Sequence, residues 1–328
     1  MDVAARAGRL QAALATAEVD GLLVTDLTNV RYLTGFTGSA ALLLVAPGGL
    51  TFVTDGRYGQ QAEAQLAATG VEARIEVSGT AQRDLLAAAA KAASVRRLGL
   101  EAEAVTWAAQ RSYEAAWSPD VELVPTTGLV AALRLHKDDG ELARIEAACA
   151  IADAALAEVR PRLGERPTEV EFGLELDTAM RRLGADDVSF ETIVASGPNG
   201  ARPHHRPSHR TVAEGDLVVI DFGALVDGYH SDMTRTVMVG EPTRTQARMY
   251  DVVLESQAAG VAAVVDGIDA RAVDRACREV IEDAGWADAF LHGTGHGVGL
   301  DIHEDPRVGQ TSAATLSTRC VVTVEPGV

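Results

Sequence analysis

The stretch LVVIDFGALVDGYHSDMTRTVMVG, residues 217–240, constrains the fold more than any other part of the chain. Apolar runs flank Asp227-Gly228, a dipeptide that favours the left-handed backbone of a two-residue hairpin turn. With that turn, Val226 faces Tyr229, Gly223 faces Asp232 and Asp221 faces Thr234. Asp221 and Asp232 become diagonal neighbours on one face of the ladder, within reach of a shared ligand. The residues before Asp221 read LVVI, so its carboxylate closes a strand of buried character, where a charge is costly unless paired or metal-bound. Taken alone, the pair could simply decorate a hairpin. The rest of the sequence favours a site.

The chain has 328 residues, 47% hydrophobic and 23% charged, enough apolar material for two domains with their own cores. A formal charge of −18 argues against nucleic acid or an anionic membrane as the main partner, because phosphate binding needs clustered basic residues. Only Lys91 and Lys137 among the 29 basic residues are lysine, which reads as a compositional bias. Cys149, Cys277 and Cys320 form no CxxC spacing and leave an odd count, which suits buried thiols in a reducing compartment. The first twenty residues lack the basic head and apolar run of a signal peptide. The longest apolar stretch, Ala40 to Ala46, falls far short of the roughly 20 residues that cross a bilayer. The expectation is a soluble cytoplasmic protein.

Residues 1–130 read as an α/β domain. An opening helix presents Val3, Ala7, Leu10 and Leu14, and short apolar runs at 21–25, 41–46 and 50–54 read as strands, the last two joined by a turn at Pro47-Gly48-Gly49. Helical and strand-like segments then alternate to Pro125, with no GxGxxG or phosphate-binding loop. Residues 131–328 read as a second domain. It opens on a helix over roughly 138–159, followed by a Thr168/Glu171 capping box and a helix to about Leu183. The segment VSFETIVAS (188–196), a polar loop through Arg210, the aspartate hairpin, two more helices (about 245–265 and 270–284) and a last strand, CVVTVEPG, complete it.

Seven of the 8 histidines lie between positions 204 and 303, so chemistry belongs to the second domain. In HGTGHGVGLDIHE (292–304), the i, i+4 spacing of His292 and His296 would suit a helix, but Gly293, Gly295, Gly297 and Gly299 oppose one. Alternating glycines suit extended backbone that another segment approaches closely, bringing His296 and His303 to a site. Glu325 in VVTVEPG is again a carboxylate closing an apolar run. Two aspartates, one histidine and one glutamate make an oxygen-rich, hard-metal donor set that suits Mn²⁺, with Co²⁺ or Zn²⁺ as alternatives.

The order Asp221, Asp232, HxxGHGxGxxxHE, EPG resembles the creatinase/aminopeptidase P family of pita-bread metallopeptidases. NVRYLTGFTGSAALLLV (29–45) resembles that family's leading domain, and ASGPNGARPH (195–204) resembles its substrate-site loop. The resemblance implies an α/β N-terminal domain followed by an α+β pita-bread catalytic domain. It makes Asp221 and Asp232 chelating or bridging ligands of a two-metal centre, His296 the imidazole ligand, and Glu325 a ligand and general base. It makes His303 the group that steadies the tetrahedral intermediate, with His204 and His292 in the substrate pocket. His205, His209 and His230 are expected to carry no chemistry. The implied activity is hydrolysis of Xaa-Pro bonds in proline-containing peptides by activated water, as a prolidase-like dipeptidase or an aminopeptidase P, in a homodimer. The family has a further glutamate in a GxRxE strand after EPG. The sequence stops at Val328, so the catalytic domain is expected to lack its C-terminal strands and that ligand. This makes a non-catalytic peptide- or partner-binding protein the alternative.

Overall fold

A computed structural model of the chain describes residues 1–117 and 119–328. It divides into two units, Met1–Arg134 and Leu135–Val328.

In the first unit the short apolar runs become strands because helices cover them on both faces. The elements are α1 (Ala4–Leu14), β1 (Gly21–Val24), α2 (Leu27–Thr34), β2 (Ala41–Ala46), β3 (Gly49–Thr54), α3 (Gly59–Thr69), β4 (Ala73–Val77), α4 (Gln82–Ala92), β5 (Arg97–Glu101), α5 (Trp107–Trp117), β6 (Glu122–Thr126) and α6 (Leu129–Arg134). One six-stranded sheet runs in the order β4-β3-β2-β1-β5-β6. The β2–β3 hairpin closes at Pro47-Gly48, with Ala46 opposite Gly49, and β2 lies antiparallel to β1 as well. Leu22, Leu23 and Val24 are fully buried. α4 and α5 pack Leu86, Ala90, Tyr113 and Trp117 on one side of the sheet, against Leu23, Leu44, Val53 and Leu98.

The second unit opens on α7 (Asp139–Val159), whose start is a capping box between Asp138 and Glu141. α8 (Glu169–Arg182) follows, with the expected Thr168/Glu171 box. The strands are β7 (Asp187–Val188), β8 (Ile193–Ser196), β9 (Leu217–Phe222), β10 (Ala224–Val226), β11 (Tyr229–His230) and β12 (Met233–Met238). α9 (Arg244–Ala263), α10 (Ala270–Asp283), β13 (Gly295–Gly297) and β14 (Glu304–Val308) complete the unit. Val218, Ile220 and Phe222 of β9 point into a core with Ala148, Ala152, Phe172 and Leu176 of α7 and α8. The intervening Asp221 therefore faces the other side of the sheet.

The hairpin keeps the register derived from its turn. Val226 pairs with Tyr229 and Asp221 with Thr234, and both turn residues, Asp227 and Gly228, have positive φ. It does not stay in one sheet, however. β10 and β11 join β7, whereas β9 and β12 join β8. The crossover lies at Gly223, where a β-carbon would overlap the Ser231 carbonyl oxygen. VSFETIVAS is divided in the same way, its two ends serving different sheets. CVVTVEPG forms a single bridge, Gly297 to Val322, rather than a regular strand. Its backbone nevertheless tracks the glycine-rich segment, the Thr323 and Glu325 amides donating to the His296 and Thr294 carbonyls at 2.8 Å each.

Candidate metal centre

Four separate segments supply the candidate groups. Asp221 is the penultimate residue of β9 and Asp232 precedes β12, while His296 sits in the middle of β13. Glu325 stands on the extended C-terminal segment, tied to β13 by the amide bonds above. Alternating glycine is what permits this approach. A β-carbon at Gly295 would overlap the Thr323 carbonyl, and one at Gly297 would overlap that of Asp305. Thr323 contributes from both ends: its Oγ1 accepts from the His296 amide at 3.0 Å and donates to Glu325 Oε1 at 2.6 Å.

Asp232, His296 and Glu325 converge, each offering a ligand atom within 4.8 Å of the others. His296 Nε2 lies 3.4 Å from Asp232 Oδ2 and 3.2 Å from Glu325 Oε1. Its Nδ1 bonds the Gly297 carbonyl at 2.9 Å, which fixes the tautomer and turns Nε2 toward the carboxylates. Asp221 stands outside this group of three but within its field. Burial, then the charges of Asp232 and Glu325, push its carboxyl up to about 7, against the opposing bond from Thr234 Oγ1 at 3.1 Å. His296 moves the other way. Burial disfavours its charge, yet the bonds to Asp232 and Glu325 outweigh burial and raise it to about 10. Burial likewise pushes Glu325 up, but His296 and Thr323 hold it below the ordinary range.

This donor set fits a hard divalent cation. Asp221, Asp232 and Glu325 surround one imidazole, and the proton held on His296 lies between the last two of these carboxylates. A doubly charged ion would relieve the repulsion that raises Asp221 and would take the Nε2 lone pair.

The other expected residues are less uniformly placed. The His303 ring meets that of His296 edge-on, centroids 4.4 Å apart, and is exposed on its outer side. Burial and the neighbouring His296 lower its pKa, which favours the neutral ring. His292 is exposed, bonded through Nδ1 to the Gly293 carbonyl at 2.8 Å and edge-on to Phe290. Its charge lowers the Glu325 pKa, so it lies near that carboxylate. His204 is exposed in the loop after the 3-10 turn 197–201, and among the described residues nothing ties its ring to the other candidates.

Some groups escape a local reading of the sequence. His205, expected only as a loop residue, bonds the fully buried carboxylate of Glu169 at 2.9 Å. Lys137, attributed to composition, has its ammonium 3.0 Å from Glu304 Oε2, both side chains being buried. Glu304 Oε1 in turn accepts from the Asp301 amide at 3.1 Å, holding the turn that presents His303. Asp274 on α10 accepts from the amide and the hydroxyl of Thr294, two residues before His296. Each of these is an acid or base whose partner is distant in sequence, so no local spacing signals it.

Comparison with known proteins agrees with this architecture. Residues 143–328 match the model for metallopeptidase family M24, and residues 6–136 match the creatinase/prolidase N-terminal domain. Fold and site thus define a metallopeptidase of the pita-bread class, and the chain belongs to metallopeptidase family M24, whose members use divalent metal ions. The uncharacterized peptidase YqhT of Bacillus subtilis is 41% identical over 310 residues, 94% of this chain and 86% of that protein. The Xaa-Pro dipeptidase of Pyrococcus furiosus is 42% identical over 196 residues, covering 60% of this chain and 56% of that protein. The solved structure of an Xaa-Pro dipeptidase from Bacillus anthracis superposes with a TM-score of 0.95 at 37% identity, over 99% of this chain and 90% of that one. Among the described residues no helix is long and apolar enough to cross a membrane.

Proposed function

We propose that this metallopeptidase hydrolyses Xaa-Pro bonds, with dipeptides ahead of longer peptides as substrates. The observation that carries the reading is the convergence of Asp232, His296 and Glu325 within 4.8 Å in a chain whose relatives include named Xaa-Pro dipeptidases. Asp221, Asp232, His296 and Glu325 would hold two divalent ions, Mn²⁺ first, with Co²⁺ or Zn²⁺ as substitutes. Such ions supply Lewis acidity toward the scissile carbonyl and acidify water at neutral pH. Glu325 accepts the proton of the attacking water. His303, kept neutral beside His296, donates to the carbonyl oxygen as charge develops there. His204 and His292 contact the bound peptide. An Xaa-Pro bond has no amide hydrogen and a fixed ring, so recognition falls on side chains rather than on backbone pairing. The same reading carries a homodimer and, from three free cysteines, a reducing cytoplasmic setting.

The test is hydrolysis of Xaa-Pro dipeptides and longer Xaa-Pro peptides by the metal-stripped chain before and after Mn²⁺ addition. Mn²⁺-dependent release of proline, faster from dipeptides, is expected. Absence of cleavage with Mn²⁺, Co²⁺ and Zn²⁺ alike would overturn the reading in favour of a peptide-binding protein.

A further inference from the structure

The Glu169 carboxylate accepts six hydrogen bonds, and the proposed chemistry does not use it. It sits at the first position of α8, with the residue fully buried. Its Oε1 accepts from the Ser196 amide at 2.7 Å, the Ser196 hydroxyl at 2.6 Å and the Asn199 side-chain amide at 2.9 Å. Its Oε2 accepts from His205 Nε2 at 2.9 Å, the Ser208 amide at 2.9 Å and the Ser208 hydroxyl at 2.6 Å. The two oxygens thus divide the work. One holds the start of the 196–208 loop and the other holds its end. Backbone bonds reinforce the second attachment, since the Glu169 and Val170 amides donate to the Arg210 and Ser208 carbonyls. Between the clamped ends the tip, Ala201 to His204, is exposed, as are Pro198 and Arg206 nearer the clamps.

Six donors on two oxygens saturate the lone pairs of an ionised carboxylate and leave no place for a proton. Burial alone would raise the Glu169 pKa, but Ser196, Ser208 and Asn199 together hold it well below the ordinary carboxylate range. The α8 N-terminus adds its own preference for negative charge. A neutral side chain of the same shape would turn two amide hydrogens toward three of those donors. It would therefore open one end of the loop rather than merely weaken both.

We infer that Glu169 is a positioning residue: by stapling both ends of the 196–208 loop it fixes His204 for contact with the peptide substrate. The inference rests on the proposed function insofar as His204 binds peptide. It has a structural readout that does not.

The experiment compares Glu169→Gln with wild type by hydrogen–deuterium exchange and by Xaa-Pro dipeptide kinetics, alone and in a His204→Ala background. Exchange over 196–208 should accelerate in Glu169→Gln while β9 and β13 keep wild-type protection and Mn²⁺ stoichiometry is unchanged. KM should rise by about tenfold with kcat changed far less, and the rise should vanish when His204 is already alanine. Glu169→Asp, which keeps the charge but shortens the reach, should recover part of the loss. Should Glu169→Gln fail to fold, Asn199→Ala and Ser208→Ala remove donors from opposite ends of the loop with the carboxylate intact, and either should reproduce the faster loop exchange. Unaltered exchange over 196–208, or KM penalties of Glu169→Gln and His204→Ala that add, would overturn the inference. If wild type shows no hydrolysis, the proposed function fails, and the exchange comparison alone decides whether Glu169 staples the loop.

Discussion

Loading the centre with metal should expel protons, and the number follows from the geometry around His296. Its Nε2 faces Asp232 and Glu325 at 3.4 and 3.2 Å, and the ring is held protonated up to about pH 10. A divalent ion needs that lone pair, so it must displace the proton. At pH 7, three units below the His296 value, competition weakens apparent affinity by roughly 10³. Affinity should then climb about tenfold per pH unit from 7 to 9. Asp221, held at about 7, adds roughly half a proton at that pH, for a total of about one and a half. An ordinary histidine at pH 7 would release only about a quarter of a proton. Calorimetric titration of Mn²⁺ into metal-stripped protein, in two buffers of different ionisation enthalpy, counts the protons directly. Release of less than about half a proton at pH 7, or an affinity flat between pH 7 and 9, would refute the claim that carboxylates hold His296 charged.

The same groups set the pH dependence of the metal-free fold. Asp221 and His296 both bind protons more tightly folded than unfolded, so stability falls as pH rises, from about 4 to 7 through Asp221 and from about 6.5 to 10 through His296. Thermal melts of stripped protein should show Tm declining across that range, and saturating Mn²⁺ should flatten the decline above pH 7. Lys137→Met should remove the ammonium 3.0 Å from the buried Glu304 carboxylate, a loss of about 3–5 kcal/mol, readable by chemical denaturation. Lys137→Met combined with Glu304→Leu should recover most of it, and a single variant as stable as wild type would remove the ion pair from the account. His303→Ala should lower kcat/KM on an Xaa-Pro dipeptide on the order of 10²-fold or more with Mn²⁺ content unchanged, because its ring meets His296 without sharing its ligand atom. A variant that loses metal instead would reassign His303 to the ligand set.

How much of this was legible depended on whether the deciding interaction was local. The hairpin register was, because Asp227-Gly228 admits few turns and one residue of slippage would move Val218, Ile220 and Phe222 out of the core. The extended course of Gly295–Gly297 was also legible, since glycine at alternate positions marks the approach of another backbone, here that of Thr323 and Asp305. The helix at Leu27–Thr34 was not. It is eight residues long and is built partly from threonine, asparagine and valine, and it depends on the Asp26 side chain accepting from the Asn29 amide. Only order along the chain and family resemblance suggested grouping Asp221, Asp232, His296 and Glu325, because no spacing links four segments more than a hundred residues apart at their extremes; the fold brings Asp232, His296 and Glu325 within 4.8 Å of one another.

Asp221 and Glu169 show why the last step needs three dimensions. In sequence both are acids beside apolar neighbours, and Glu169 reads as an ordinary first-turn glutamate after the Thr168 cap. In the fold Glu169 is buried and Asp221 partly so, which alone would raise both pKa values. Glu169 receives six donated hydrogen bonds and is held ionised far below the usual range. Asp221 receives one, from Thr234, and faces the like charges of Asp232 and Glu325, so it rises to about 7. A carboxylate whose lone pairs are already filled by the protein has nothing to offer a cation, and its charge serves to order the chain around it. One left with spare lone pairs among other carboxylates is stable as an anion only beside a cation. The ratio of donors to like charges around each acid therefore separates the residue that orders the 196–208 loop from the one suited to hold metal.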